Sequence, residues 1–140
     1  AGTRLNQYPV EDGHELDIPM AILVNGNSAS AAEVFAGAMR DFDRAVLVGT
    51  TTFGKGIVQS VIPFTDGDAI KITTAHYFTP SGFDLHGKGL EPDIPVELSE
   101  ELLQQAVVEL EDDNQVQAAV EYLSEETAGE EPDDPGMAAD

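Results

Sequence analysis

Apolar positions in this chain come in blocks separated by polar punctuation. Met20-Ala21-Ile22-Leu23-Val24 is an unbroken apolar run, the pattern of a strand buried on both faces. From Ala31 to Phe42 the apolar residues Val34, Phe35, Ala38 and Met39 recur at helical spacing. Ser30 stands at the N-cap of that helix with Glu33 three residues on, a capping-box pattern. Ala45-Val46-Leu47-Val48-Gly49 reads as a second buried strand. Strand, helix and strand within about thirty residues make a βαβ unit, so the two strands are expected to be parallel and the fold class α/β.

Beyond Gly49 the pattern changes. Gly49 to Gly56 is a loop rich in Thr and Gly. Ile57 to Phe64 and Ala69 to Phe78 predict a β-hairpin with Asp66-Gly67 in its turn. Thr79-Pro80-Ser81-Gly82 is a further turn, and residues 87–96 are extended and punctuated by Gly and Pro. Leu98 to about Leu123 is helical in pattern, with a break expected near Asp112-Asp113-Asn114. From Glu125 onward large apolar residues almost vanish, and disorder is expected. Residues 1–18 are polar, with a turn expected at Asp12-Gly13. There is no internal repeat.

Composition narrows the function classes. The chain has 140 residues, 41% of them apolar, enough for one domain with a core. Six Lys and Arg stand against 27 Asp and Glu, a net charge of −21. No Lys or Arg follows Lys88, while seventeen acids do. Nucleic acid is therefore excluded as an expected partner, since phosphate binding needs a basic surface. An anionic membrane surface is equally disfavoured. There is no cysteine, which rules out disulfides and thiolate chemistry. The start, Ala1-Gly2-Thr3-Arg4, is neither an initiator methionine nor a basic leader, and is expected to be that of a processed or excised fragment.

Against this acidic background two residues carry candidate chemistry. Ser30 follows the first apolar strand, and Lys55, held between Gly54 and Gly56, follows the second. Open α/β sheets build sites outside the carboxyl ends of their strands, so both residues can reach one crevice. A serine hydroxyl is a weak nucleophile until a base takes its proton, and a neutral lysine can be that base. Ser30 also opens a helix, whose first N–H groups lack intrahelical partners. The N–H of Ala31 is thus half of an oxyanion hole. Taken alone, Ser30 reads first as a helix cap. Gln59, four residues after Lys55, would share its face on a strand and could orient the amine. A phosphate cradle is not supported, because Gly-x-x-x-x-Gly-Lys-Ser/Thr is not present. His14, His76 and His86 show no metal-ligand spacing, and His76 reads as structural.

These residues sit in a string of ordered motifs. Asn27-Ser28-Ala29-Ser30-Ala31-Ala32-Glu33, Ala36-Gly37-Ala38-Met39-Arg40-Asp41, and Thr52-Phe53-Gly54-Lys55-Gly56 with Val58-Gln59 come first. Lys71-Ile72-Thr73-Thr74-Ala75, Tyr77 with Thr79-Pro80-Ser81-Gly82, and Gly87, Gly89-Leu90 and Pro92-Asp93-Ile94 follow. Over about residues 19–97 the chain resembles the carboxyl-terminal processing, or tail-specific, proteases. That resemblance implies a serine endopeptidase with a Ser-Lys dyad on a crotonase/ClpP-like core, needing no cofactor or metal. It places the nucleophile at Ser30 rather than Ser28, the general base at Lys55, the lysine-orienting glutamine at Gln59 and a supporting aspartate at Asp41. It implies protein or peptide substrates with unstructured C-terminal tails, and a location outside the cytoplasm of a bacterium. The family's PDZ domain and a Gly-Gly segment that completes the oxyanion hole are expected upstream of this chain. Ala32 departs from the family's usual serine.

The expected organisation is the C-terminal part of a protease core over residues 1–97, a helical extension over 98–124 and an acidic tail over 125–140. Homo-oligomerisation is left open. A second class of function is a catalytically silent module that binds extended peptide at a sheet edge. A third is a cation-binding tail, although Glu130-Glu131-Pro132-Asp133-Asp134 lacks the loop spacing of an EF-hand.

Overall fold

A computed structural model describes residues 16–105 and 107–129. The two apolar runs form strands β1 (Ala21–Val24) and β2 (Val46–Gly49), joined by helix α1 (Ala31–Asp41). They pair in parallel, Ala21 opposite Val46 through to Val24 opposite Gly49, as a βαβ unit requires. Hairpin strands β3 (Ile57–Pro63) and β4 (Ala69–His76) pair antiparallel with the turn at Asp66-Gly67, and make a separate two-stranded sheet. A two-residue strand, β5 (Ile94–Pro95), adds to the other side of β2 in parallel. Its proline fits there because an outer strand has backbone groups that need no partner. Helix α2 (Asn114–Gly129) ends the described chain.

The core is small. Val24, Ala36, Leu47, Leu85 and Leu90 form one buried cluster, with Ile22 and Tyr77 packed against it. Helix α1 buries Glu33, Ala36 and Gly37, whereas Val34 and Phe35 of the expected apolar stripe are exposed. Gly37 lets the helix pack closely there: a Cβ would meet Thr79 Cγ2 at 2.9 Å, and the buried Thr79 side chain would have to shift.

The C-terminal part differs from the expectation. Residues 98–105 and 107–113 contain turns rather than helix. Helix α2 starts where the break was expected, because the Asp113 carboxylate accepts the N–H groups of Gln115 (2.8 Å) and Val116 (3.1 Å). It continues to Gly129, past the boundary at Glu125 where order was expected to end. The expected turn at Asp12-Gly13 and the acidic run Glu130–Asp134 lie outside the described residues.

Candidate active site

Val24 faces Gly49 across the parallel register, and Ser30 and Lys55 each lie six residues beyond those strand ends. The two loops therefore leave the same edge of the sheet side by side. The Phe53 N–H donates to the Ser28 carbonyl at 3.0 Å and ties them together.

Ser30 has φ 58° and ψ −114°. For a residue with a side chain this costs about 1–3 kcal/mol and marks a position held by its surroundings. A strained strand-to-helix turn of this kind is how a nucleophile elbow exposes its hydroxyl. Ser30 and Glu33 do stand as a capping box, but only the reverse bond is well formed, Ser30 N–H to Glu33 Oε2 at 2.9 Å. The serine hydroxyl makes no regular cap hydrogen bond. The Ala31 N–H donates to no acceptor among the described residues, which leaves it available to an oxyanion.

Glu33 is the centre of the site's backbone geometry. It is 0% exposed, and its two oxygens take four donors. Oε1 accepts the Thr52 hydroxyl and the Gly54 N–H, both at 2.6 Å. Oε2 accepts the N–H groups of Ser30 (2.9 Å) and Lys55 (2.8 Å). One oxygen thus joins the two candidate catalytic residues through their backbones. Burial pushes the Glu33 carboxyl up, but the donors from Thr52, Lys55, Gly54 and Ser30 outweigh it and leave it below its ordinary value.

The lysine loop is held from its other side by residues 85–90. Thr52 and Leu90 bond twice, Thr52 N–H to the Leu90 carbonyl at 3.0 Å and Leu90 N–H to Thr52 Oγ1 at 2.8 Å. The Gly87 N–H donates to the Gly54 carbonyl at 2.9 Å. Gly54 has φ +86°, and a Cβ there would lie 2.8 Å from the Gly89 nitrogen. Only glycine satisfies both the backbone conformation and the close approach.

Lys55 is half-buried, and among the described residues no carboxylate lies within ion-pair distance of its amine. Its amine and the Ser30 hydroxyl are not hydrogen-bonded to each other. Without substrate, catalytic hydrogen bonds are commonly long and tighten in the complex. The Gln59 expectation meets a difference: Lys55 precedes β3, so the shared strand face does not exist. A bulge at Val58/Gln59 shifts the register, and the Gln59 amide instead donates weakly to Thr73 Oγ1 at 3.5 Å.

Asp41 ends α1 and accepts the Ser81 N–H at 2.8 Å. Burial raises its carboxyl, but bonds from Thr79 and Ser81 and the nearby Arg40 outweigh this and lower it. It anchors the turn at residues 79–82 rather than touching Ser30 or Lys55. His76 is exposed, edge-on to His86 with ring centres 5.6 Å apart, and His86 Nδ1 lies 3.3 Å from the Gly54 carbonyl. Among the described residues no group of His, Asp and Glu is arranged to hold a metal ion. Reading the sequence missed the clamp made by Glu33 beyond its capping role. The only sign of it was an acid at the third position of a helix otherwise packed with small residues.

The chain is similar to known proteins in sequence and in fold. The profile of peptidase family S41 matches residues 3–96. A carboxy-terminal-processing protease of Bartonella bacilliformis is 52% identical over 79 residues, 56% of this chain and 18% of that protein. A probable CtpA-like serine protease of Staphylococcus epidermidis is 51% identical over 80 residues, 57% of this chain and 16% of that protein. This chain thus spans less than a fifth of the length of either relative. The solved photosystem II D1 C-terminal processing protease superposes with a TM-score of 0.58 at 36% identity, covering 72% of this chain and 24% of that one. The tricorn protease shares the fold, with a TM-score of 0.62 at 21% identity over 77% of this chain and 10% of that one.

Proposed function

The chain belongs to peptidase family S41, and from that premise we propose that it carries the nucleophile and general base of a serine endopeptidase. Ser30 is the nucleophile and Lys55 the base. The Lys55 amine takes the Ser30 hydroxyl proton as Oγ bonds to the scissile carbonyl carbon. The Ala31 N–H receives the oxyanion. Lys55 then returns the proton to the leaving amine as the C–N bond breaks. Water hydrolyses the acyl-enzyme by the same route, with Lys55 again the base.

One observation carries this reading: strained Ser30 and Lys55, at matching distances past paired parallel strands, are bonded through their backbones to one carboxylate oxygen. A crotonase/ClpP-like core is part of the proposal. So are an upstream PDZ domain that reads unstructured C-terminal tails, the second oxyanion donor from an upstream Gly-Gly segment, and a site of action outside the bacterial cytoplasm. Gln59 orients Lys55 in this reading only if the hairpin moves when substrate binds. In the whole protease, Ser30→Ala and Lys55→Ala should each abolish cleavage of an unstructured peptide. Lys55→Arg should fail as well, since arginine holds its proton at any working pH. Activity retained in any of the three would remove that residue from its role.

The exposed two-stranded sheet of β3 and β4 favours a second reading, peptide binding at an open edge without hydrolysis. Peptide binding that survives Ser30→Ala, with no cleavage by the wild-type enzyme, would select it.

A further inference from the structure

Glu33 holds the amide side of Ser30 and Lys55; their carbonyl side is held by a different residue. Tyr77 follows β4, half-buried against the core cluster. Its hydroxyl lies 3.2 Å from the Ser30 carbonyl oxygen and within hydrogen-bond reach of the Lys55 carbonyl oxygen. Its own N–H donates to the Gly56 carbonyl at 3.0 Å, so its backbone is fastened to the lysine loop too.

We propose that Tyr77 is a positioning residue for the Ser30–Lys55 pair, sharing its single hydroxyl proton between the two carbonyls and so fixing the separation of the two loops. The inference rests on the serine-protease reading above. The chemistry suits the task. A carbonyl only accepts; the Ser30 carbonyl also takes the Val34 N–H at 3.0 Å, so what the Tyr77 hydroxyl adds is a donor shared between the two loops. Phenol is a donor on a stiff ring, anchored here in the core, and it transmits the position of the core to both loops. Burial and the Glu33 charge raise the Tyr77 hydroxyl above its ordinary value, so it stays protonated throughout the working range of pH. The Glu33 carboxylate and the Tyr77 hydroxyl thereby grip the same two residues, one at their N–H groups and the other at their carbonyls. Neither touches substrate in this arrangement, and neither exchanges a proton in the reaction.

The test is Tyr77→Phe in the whole protease, which removes one oxygen and keeps the ring in its packing. Misplacement of a nucleophile relative to its base is expected to lower kcat roughly ten- to a hundredfold. KM should stay within about twofold, because substrate contacts are unchanged. The pH–rate profile should fall in height without moving its limbs, and the melting temperature should shift by no more than about 4 °C. Labelling of Ser30 by a fluorophosphonate should slow in the same proportion as kcat. A wild-type kcat in Tyr77→Phe would overturn the proposal. So would a loss of kcat that tracks a larger fall in melting temperature, which assigns Tyr77 to folding. A shifted limb of the pH profile would overturn it in the other direction, by making Tyr77 a proton donor in the reaction. Ser30→Ala separates the two levels. If it abolishes cleavage and Tyr77→Phe does not slow it, only the Tyr77 role falls. If it leaves cleavage intact, the serine reading falls and the Tyr77 role with it.

Discussion

At Ser30 the cap and the nucleophile make opposite demands, and stability measurements separate them. A working serine cap replaced by alanine costs about 1 kcal/mol. Here the hydroxyl makes no regular cap bond, so Ser30→Ala should unfold in urea within about 0.5 kcal/mol of wild type. Ser30→Gly should be more stable by about 1 kcal/mol, because glycine tolerates φ 58° without the strain of a side chain. Both variants should be inactive, so stability gained at this position would come with activity lost. Glu33 should behave the other way. Glu33→Gln turns one acceptor oxygen into a donor facing donors, and leaving such buried N–H groups unmatched costs about 1–3 kcal/mol each. Because the folded state lowers the Glu33 carboxyl, its stabilisation is complete above the ordinary glutamate value of 4.5 and fades as pH falls through the lowered one. The wild-type melting temperature should therefore drop on acidification below about pH 4.5, and Glu33→Gln should flatten that slope. Asp41, also lowered, should preserve the remaining part of it. An unchanged slope in Glu33→Gln would show that the carboxylate is not the group being titrated.

Between residues and fold, the lysine loop and residues 85–90 act as one unit, and their glycines are not equivalent. Gly54→Ala meets both a positive φ and a backbone nitrogen 2.8 Å from the new Cβ. Gly82 has a similar φ of +87° but open space around it. Gly82→Ala should cost about 1–2 kcal/mol, the ordinary penalty of that conformation, and Gly54→Ala distinctly more, read as urea midpoints. Equal costs would mean that the loop relaxes away from Gly89. How far such units were legible in the sequence depended on how local their causes are. The unbroken apolar runs announced β1 and β2, and Asp66-Gly67 announced the hairpin, since a strand period and a turn dipeptide are read within a few residues. The placing of β5 beside β2, and of Leu90 against Thr52, depends on contacts about 40 residues away in sequence, which no local pattern encodes. The same holds for the site. Ser30 and Lys55 were visible as residues after strands, while Glu33 and Tyr77 act through long-range backbone bonds. Residues 98–113 looked helical because Leu102, Leu103, Val107, Val108 and Leu110 recur at suitable spacing. Leu103, Val107 and Leu110 are exposed among the described residues, and without packing a short helix is not stable in water.

The molecule as a whole has more apolar surface outside than such a small core would lead one to expect. Strand β4 is exposed along its entire length, and Val61 of β3 is 63% exposed. On α1, Phe35 is 54% exposed and Phe42, just past its end, 65%. Scattered apolar residues on a surface are ordinary, but an open hairpin and an outward helix face together resemble surfaces that other protein normally covers. Two opposing forces then act on the chain in isolation. Apolar contact between copies favours association, while a net charge of −21 keeps copies apart. Salt weakens only the second, since the screening length is about 10 Å at 0.1 M and about 3 Å at 1 M. The isolated chain should therefore bind a hydrophobic dye such as ANS strongly, and the whole protease weakly, at equal molar concentration. In sedimentation velocity the isolated chain should be monomeric at low salt and shift to larger species as sodium chloride approaches 1 M. Weak dye binding and a salt-independent monomer would mean that this apolar surface is covered within the chain itself in solution, and that the exposed faces of β4 and α1 are not the surfaces other protein covers.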